Sequence, residues 1–348
     1  MKIVTKSLIN AFKKVEKIKG KEIYYSLQVI NGKLYLVKNT FDNQSKPLNL
    51  KVMVECEEPK ESITLTQSIL KTVKNIKEDI INIDVEEKIL KTNKRKINIT
   101  NNEPTFKLHN METVKDNISI SVSEYKTLLD TVDFVSKEEI RPILQYVNFK
   151  NNVLCSLDGY RLCTRKSNNF NLQGNYNVLG TVLKQTLGLI SKDTKNININ
   201  FNDEYCSIAI DDTEVITTLS ECSYIKYEQL LGNTEYTTIV EFDKKEIIEE
   251  VDFLKGISDN TSTKKLVVLD INEDCKLYDC YKNEVNIEKY NRSGESIKIG
   301  LNYNYFLDVL KHTKSDKIVC KFINPHSLVT LEDKGINGYN YFLPIRLD

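Results

Sequence analysis

Tryptophan is absent from this chain of 348 residues, and histidine occurs only three times, at His109, His312 and His326. Three histidines leave little material for imidazole acid–base or metal chemistry, and none sits near a nucleophile motif. There is no phosphate loop, no HExxH and no paired-carboxylate motif. The eight cysteines (Cys56, Cys155, Cys163, Cys206, Cys222, Cys275, Cys280, Cys320) contain no CxxC pair. The spacing of Cys275 and Cys280 fits no common zinc site, so buried reduced thiols are expected, with no metal and no cofactor. No apolar run approaches a membrane span, and the opening MKIVTKSLINAFKKVEK lacks the apolar core of a signal peptide. A cytoplasmic protein is expected. Net charge is also lacking: 49 Lys+Arg balance 49 Asp+Glu. That excludes a simple basic coat for DNA, but permits one basic face and one acidic face.

What is present is a packed-core composition, 40% hydrophobic and 28% charged, at a length suited to two or three domains. Three segments open alike, with a short strand followed by an amphipathic helix: KIVTKSLINAFKKVEKI, SISVSEYKTLLDTVDFV and TIVEFDKKEIIEEVDFL. In the first, Leu8, Ala11, Phe12 and Val15 share one helical face. In the second, Tyr125, Leu128, Leu129 and Val132 repeat that spacing, and in the third Ile247, Ile248 and Val251 follow it. A second helix is expected later in each third, in TQSILKTVKNIKED, GTVLKQTLGLISKD and NYNYFLDVLKHTKSD. Each is followed by an alternating strand: IINIDVE, NININF and KIVCKFI. The chain therefore reads as α+β, in three tandem similar domains over 1–115, 116–235 and 236–348, each with two helices packed on antiparallel sheets.

Lysines gather on these helices. Lys13, Lys14, Lys71, Lys74, Lys126, Lys184, Lys192 and Lys311 stand at or near helix ends. A single such lysine complements the helix macrodipole or is simply solvated. Repeated over six helices, they read as one electropositive surface. The third opening helix departs from this, because Glu246, Glu249, Glu250 and Asp252 make it acidic.

The stretch VLCSLDGYRLCTRK places Asp158-Gly159 between two alternating apolar runs, a hairpin signal in which Gly159 takes the positive φ of a tight turn. Tyr160, Arg161 and Leu162 follow directly. This stretch, with EEIRPILQYVNF before it, YNYFLDVLK after it and the ending YFLPIRLD, resembles the bacterial sliding clamp family, the beta subunit of the replicative DNA polymerase. Order, spacing and the threefold repeat agree along the whole chain. The match is thinnest in the first third, where MKIVTKSLINAFKKV, PKESITLTQSILKTVK and PTFKLHNM carry it.

The resemblance implies three clamp-fold domains per chain and a ring-shaped head-to-tail homodimer around duplex DNA, without catalysis and without a membrane. Helix lysines would face the phosphates without reading bases. The partners implied are double-stranded DNA, the replicative polymerase alpha subunit, the clamp loader and other clamp-binding-motif proteins. Their peptides would dock in a groove. Leu144, Leu157, Gly159, Tyr160, Arg161 and Leu162 would form the hairpin side of it. Ile225, Gln229, Leu230, His326 and Leu328 would add to it, and Tyr341, Phe342, Leu343, Pro344, Ile345, Arg346 and Leu347 would be its tail. Arg161 and Arg346 would brace it through carbonyls or carboxylates. Ring closure would use Phe106 and Leu108 against Phe253 and Leu254. Gln229 stands where the family usually has Arg, His326 and Leu328 replace smaller residues, and Asp348 extends past the usual terminal leucine. Two other readings stay open: an acid–base site built on Asp158, Arg161 and a histidine, and a clamp-derived interaction protein that does not encircle DNA.

Overall fold

The computed structural model describes residues 1–100, 111, 113–232, 235–258 and 265–347. Among them are seven α-helices: α1 Thr5–Val15, α2 Gln67–Val73, α3 Val122–Leu128, α4 Gly180–Thr186, α5 Glu228–Leu231, α6 Lys244–Ser258 and α7 Tyr303–His312. The strands between them pair antiparallel throughout. None of the described helices is long and apolar enough to cross a membrane.

The threefold repeat read from the sequence is present in the backbone, and in one register. The strand before each opening helix pairs with the strand after the second helix. Val4 meets Ile80, Ser121 meets Asn196, and Asp243 meets Lys317. In every case the last residue before the opening helix faces the first residue of the strand that follows the second helix. Each opening helix buries the predicted face. In α1, Leu8, Ala11, Phe12 and Val15 are buried; in α6 Ile247 and Val251 are buried, Ile248 is only half-buried, and Leu254 joins the inward stripe. The second opening helix is shorter than its pattern: α3 stops at Leu128, and the chain continues as a 3-10 turn over Leu129–Phe134.

By contacts the chain divides into two compact units. One is Met1–Lys126 with Asn169–Glu221, and the other is Thr127–Asn168 with Cys222–Asp348. The first unit holds an eight-stranded sheet that runs from the second third into the first, across the pair Thr213–Thr218 and Pro47–Val54. Lys51 and Glu214 form an ion pair across that seam. Tyr125 of α3 and Thr186 of α4 share a buried hydroxyl hydrogen bond of 2.6 Å in the same unit.

The second unit repeats the device. Its strand Arg161–Lys166 pairs with Gly338–Phe342, setting Arg161 opposite Phe342 and Cys163 opposite Asn340. Joining sheets in this way covers edge strands that would otherwise be open to pairing with other chains. One core cluster unites the unit, from Phe134 and Cys163 through Val240, Val251 and Leu254 to Phe306, Leu331 and Phe342. This core holds both the hairpin 153–166 and the start of the C-terminal tail.

Candidate functional site

The hairpin forms as its Asp-Gly signal requires. Strands Val153–Leu157 and Arg161–Lys166 flank a turn in which Gly159 has φ +96°. The Asp158 carboxylate closes the turn by accepting from the backbone N–H groups of Tyr160 (2.9 Å) and Arg161 (2.8 Å). It then accepts twice more, from Arg161 Nε at 3.0 Å and Nη2 at 2.9 Å. The third arm of the guanidinium, Nη1, donates to Asp308 on α7. Arg161 is only 9% exposed. Its guanidinium lies 5.2 Å from the Phe134 ring centre and 5.3 Å from that of Tyr305. Two carboxylates and two aromatic faces therefore hold Arg161 in place.

Tyr160 projects from the tip, 54% exposed, and stacks on Tyr305 at 5.2 Å between ring centres. Burial raises the Tyr305 pKa, and the neighbouring Asp158 and Tyr160 add to the effect. Beside the tip runs the tail. The Leu343 N–H donates to the Tyr160 carbonyl at 2.9 Å, and the Ile345 N–H donates to the Gly300 carbonyl at 2.7 Å. The tail thus leaves the sheet after Phe342 and bridges from the hairpin tip to the strand Ile297–Asn302. Gly300 permits this approach, since a Cβ there would lie 2.6 Å from the Ile345 carbonyl oxygen. A cleft of about 350 Å³ opens by the tip, lined among others by Glu138, Tyr160, Arg161, Lys255, Tyr305 and Asp308.

Not every residue expected in the groove is available to a partner. Leu144, Leu157, Leu162, Tyr341 and Phe342 are buried, Phe342 completely. Leu157, Leu162 and Tyr341 are cross-strand partners on one face of the sheet, Phe342 packs into the core on the other face, and Leu144 sits in the 3-10 turn Pro142–Gln145, so they support the tip from within. The exposed apolar members are Tyr160, Ile225, Leu230, Leu343 and Leu347. Leu328, Pro344 and Ile345 are half-buried, and Gln229, His326 and Arg346 are exposed. The segment carrying Ile225, Gln229 and Leu230 is anchored by the Tyr224 hydroxyl, which donates to the Tyr146 carbonyl at 3.2 Å, and by the Lys150–Glu228 pair at 2.7 Å. Neither His326 nor Gln229 bonds to the hairpin tip among the described residues; the His326 N–H is turned to Asn324 Oδ1. Tyr305, Asp308 and Gly300 contact the tip or the tail and went unassigned in the sequence. Only the helix YNYFLDVLK marked their neighbourhood.

The ring-closure expectation needs correction. Leu254 is 1% exposed and part of the core, whereas Phe253 is 57% exposed. Val251 and Leu254 lie on the inward stripe of α6 with Ile247, and Phe253 falls on the outward side. Phe106 and Leu108 lie outside the described residues.

Among the lysines, Lys13, Lys71, Lys74, Lys126, Lys184, Lys192 and Lys311 are exposed. Lys14 is half-buried and ion-paired with Asp212. Lys311 pairs with Asp252 at 3.2 Å, and Lys74 lies over the Phe12 ring at 4.6 Å. Lys192 stands in the loop after a 3-10 turn, beyond its helix. No group of His, Cys, Asp and Glu among the described residues is placed to hold a metal ion.

Comparison with known proteins places this geometry. Residues 233–346 match the family model for the DNA polymerase III beta subunit, C-terminal domain. The curated beta sliding clamp of Staphylococcus aureus is 25% identical over 244 residues, covering 66% of this chain. The match spans 64% of that relative's own length. The fold extends further. The crystal structure of a putative DNA polymerase III beta subunit from Eubacterium rectale superposes with a TM-score of 0.81 at 19% identity, covering 99% of both chains. The DNA polymerase sliding clamp of Bacillus subtilis gives a TM-score of 0.80 at 18% identity, over 100% of this chain and 99% of its own. Motifs, threefold register and these matches converge: residues 233–346 match the C-terminal domain of the DNA polymerase III beta subunit, and the whole chain shares the fold of these solved beta subunit and sliding clamp structures.

Proposed function

We propose that this chain is a non-catalytic DNA sliding clamp. Two copies close head to tail around duplex DNA, and the ring tethers the replicative polymerase alpha subunit, the clamp loader and other clamp-binding-motif proteins. The carrying observation is the tip–tail constellation. Exposed Tyr160 and Leu343 stand side by side on a frame held by Arg161, Asp158 and Asp308. Exposed apolar groups on a rigid support suit an extended peptide, since anchors supply affinity and the frame limits the entropy lost on binding. The relatives named beta sliding clamp support the same reading. Exposed lysines of the helices would supply weak, sequence-independent phosphate contacts.

The test is titration of a labelled polymerase-derived peptide against wild type and a variant lacking 343–348. Binding is expected to vanish in the variant while the melting transition and native mass are kept. Unchanged affinity in the folded variant would overturn the docking assignment. The acidic α6, with Glu249 and Asp252 exposed, favours the second reading of a clamp-derived protein that does not encircle DNA. Native mass combined with retention on closed circular duplex separates the two: a dimer retained on circles and released on linearisation is the clamp.

A further inference from the structure

His312 stands half-buried in the last turn of α7. Its Nδ1 lies 2.6 Å from the backbone carbonyl of Asp308, and its Nε2 lies 3.2 Å from the Asp133 carboxylate. Both partners are acceptors only. A neutral imidazole carries a single N–H and serves one of them, whereas the imidazolium serves both. We infer that His312 is held as an imidazolium and works as a pH-dependent latch, fastening α7 to the 3-10 turn Leu129–Phe134 directly behind the hairpin tip. This inference goes beyond the peptide-docking reading and does not depend on it.

The surroundings favour the cation. Asp133 faces the ring from the 3-10 turn, and Asp308 stands one turn back on α7 with its carboxylate engaged by Arg161. The other charges nearby are paired: Lys311 with Asp252 of α6, and Lys314 with Asp130 at 3.2 Å. The Arg165 Nε stands 3.8 Å from that same Asp130. The Phe134 ring packs edge-on against His312 at 5.4 Å and lies beside the Arg161 guanidinium. The latch and the brace of the tip therefore share Phe134 and Asp308. The hydrogen bond to Asp133 raises the His312 pKa above its ordinary 6.5, against the opposing effect of burial. A raised folded value means that the latch stabilises fully below the ordinary value and is lost as pH rises through the folded one.

The experiment is a pH titration of 15N-labelled protein, following the ring nitrogens of His312. Both His312 nitrogens should report protonation below pH 6.5, with a midpoint above that ordinary value. Asp133→Asn should lower that midpoint. The melting-temperature gap between wild type and His312→Gln should be widest near pH 6 and close by pH 9. A His312 midpoint at or below the ordinary 6.5, or a gap that does not change with pH, would overturn the latch. Should His312→Gln fail to fold, the Asp133→Asn titration decides alone.

Discussion

Lys38 carries its ammonium into the first unit at 1% exposure, where it donates to the carbonyls of Val15 (3.2 Å) and Ile18 (2.8 Å). Val15 is the last residue of α1 and Ile18 lies in the turn just after it, so a buried cation serves the helix end and the turn that follows. Burial lowers its pKa to about 8. The sign follows from linkage: between that value and the unfolded one the unfolded chain binds more protons, so stability rises with pH. Tyr25, whose pKa burial and its bond to Glu16 raise, opposes this above about pH 10, where an ordinary phenol ionises. Thermal unfolding should therefore show a rising contribution between pH 8 and pH 10 that Lys38→Met lacks. Arg165 gives a second residue-scale expectation. It is 1% exposed, and Asp130 is its carboxylate partner. Asp130→Ala removes the carboxylate beside a buried cation that keeps its hydrogen bonds to the Thr164 carbonyl and Asn340 Oδ1, and should cost about 1–3 kcal/mol, read as a lowered denaturant midpoint with unchanged m-value.

At the scale of elements, the hairpin tip and tail act together through few contacts. Gly159 has φ +96° and open space where a Cβ would stand. Gly159→Arg therefore costs backbone strain alone, about 1–3 kcal/mol, and leaves the second unit folded. Its long side chain should still block the cleft, so peptide affinity should fall at least as far as in the tail deletion. A collapse of the melting transition would instead assign Gly159 to the turn alone. Gly300 probes the other anchor of the tail. A Cβ there would meet the Ile345 carbonyl and the Leu347 side chain at 2.8 Å. Gly300→Val should displace 345–347 and expose the Ile345 amide to rapid hydrogen exchange, while the core strand partners Ile299 and Leu301 stay protected.

For the whole molecule, the burial of Leu254 changes what a ring-closure variant must be. A charge at Leu254 enters the core, where a large-to-polar change is expected to unfold the second unit instead of separating two copies. Phe253→Glu is the informative variant. It should give a folded monomer by native mass at low concentration, and a persistent dimer would remove Phe253 from the interface. Lys13, Lys71 and Lys184 changed together to Glu should weaken retention on duplex and flatten the dependence of log affinity on log salt by about 0.9 per lost phosphate contact. A sequence-specific footprint would contradict the sliding-clamp reading as a whole.

The sequence by itself determined the elements and their threefold order. The inward stripes of α1 and α6 follow from side-chain spacing, and the Asp158-Gly159 turn follows from local backbone chemistry. Even the strands following the second helices are legible, because alternation is a local property. Tertiary structure alone decided the rest, because it depends on contacts between residues far apart in the chain. The sequence marks Phe253 and Leu254 as neighbours, but the packing of α6 on its core chose which one faces outward. Asp308 and Tyr305 became partners of Arg161 and Tyr160 because the sheet joins Arg161–Lys166 to Gly338–Phe342 and brings α7 beneath the tip. A hydrogen bond across 147 residues leaves no periodicity in a sequence. It exists only once two hydrophobic faces have been buried against each other, and that burial is what turned an exposed-looking arginine into the brace of the site.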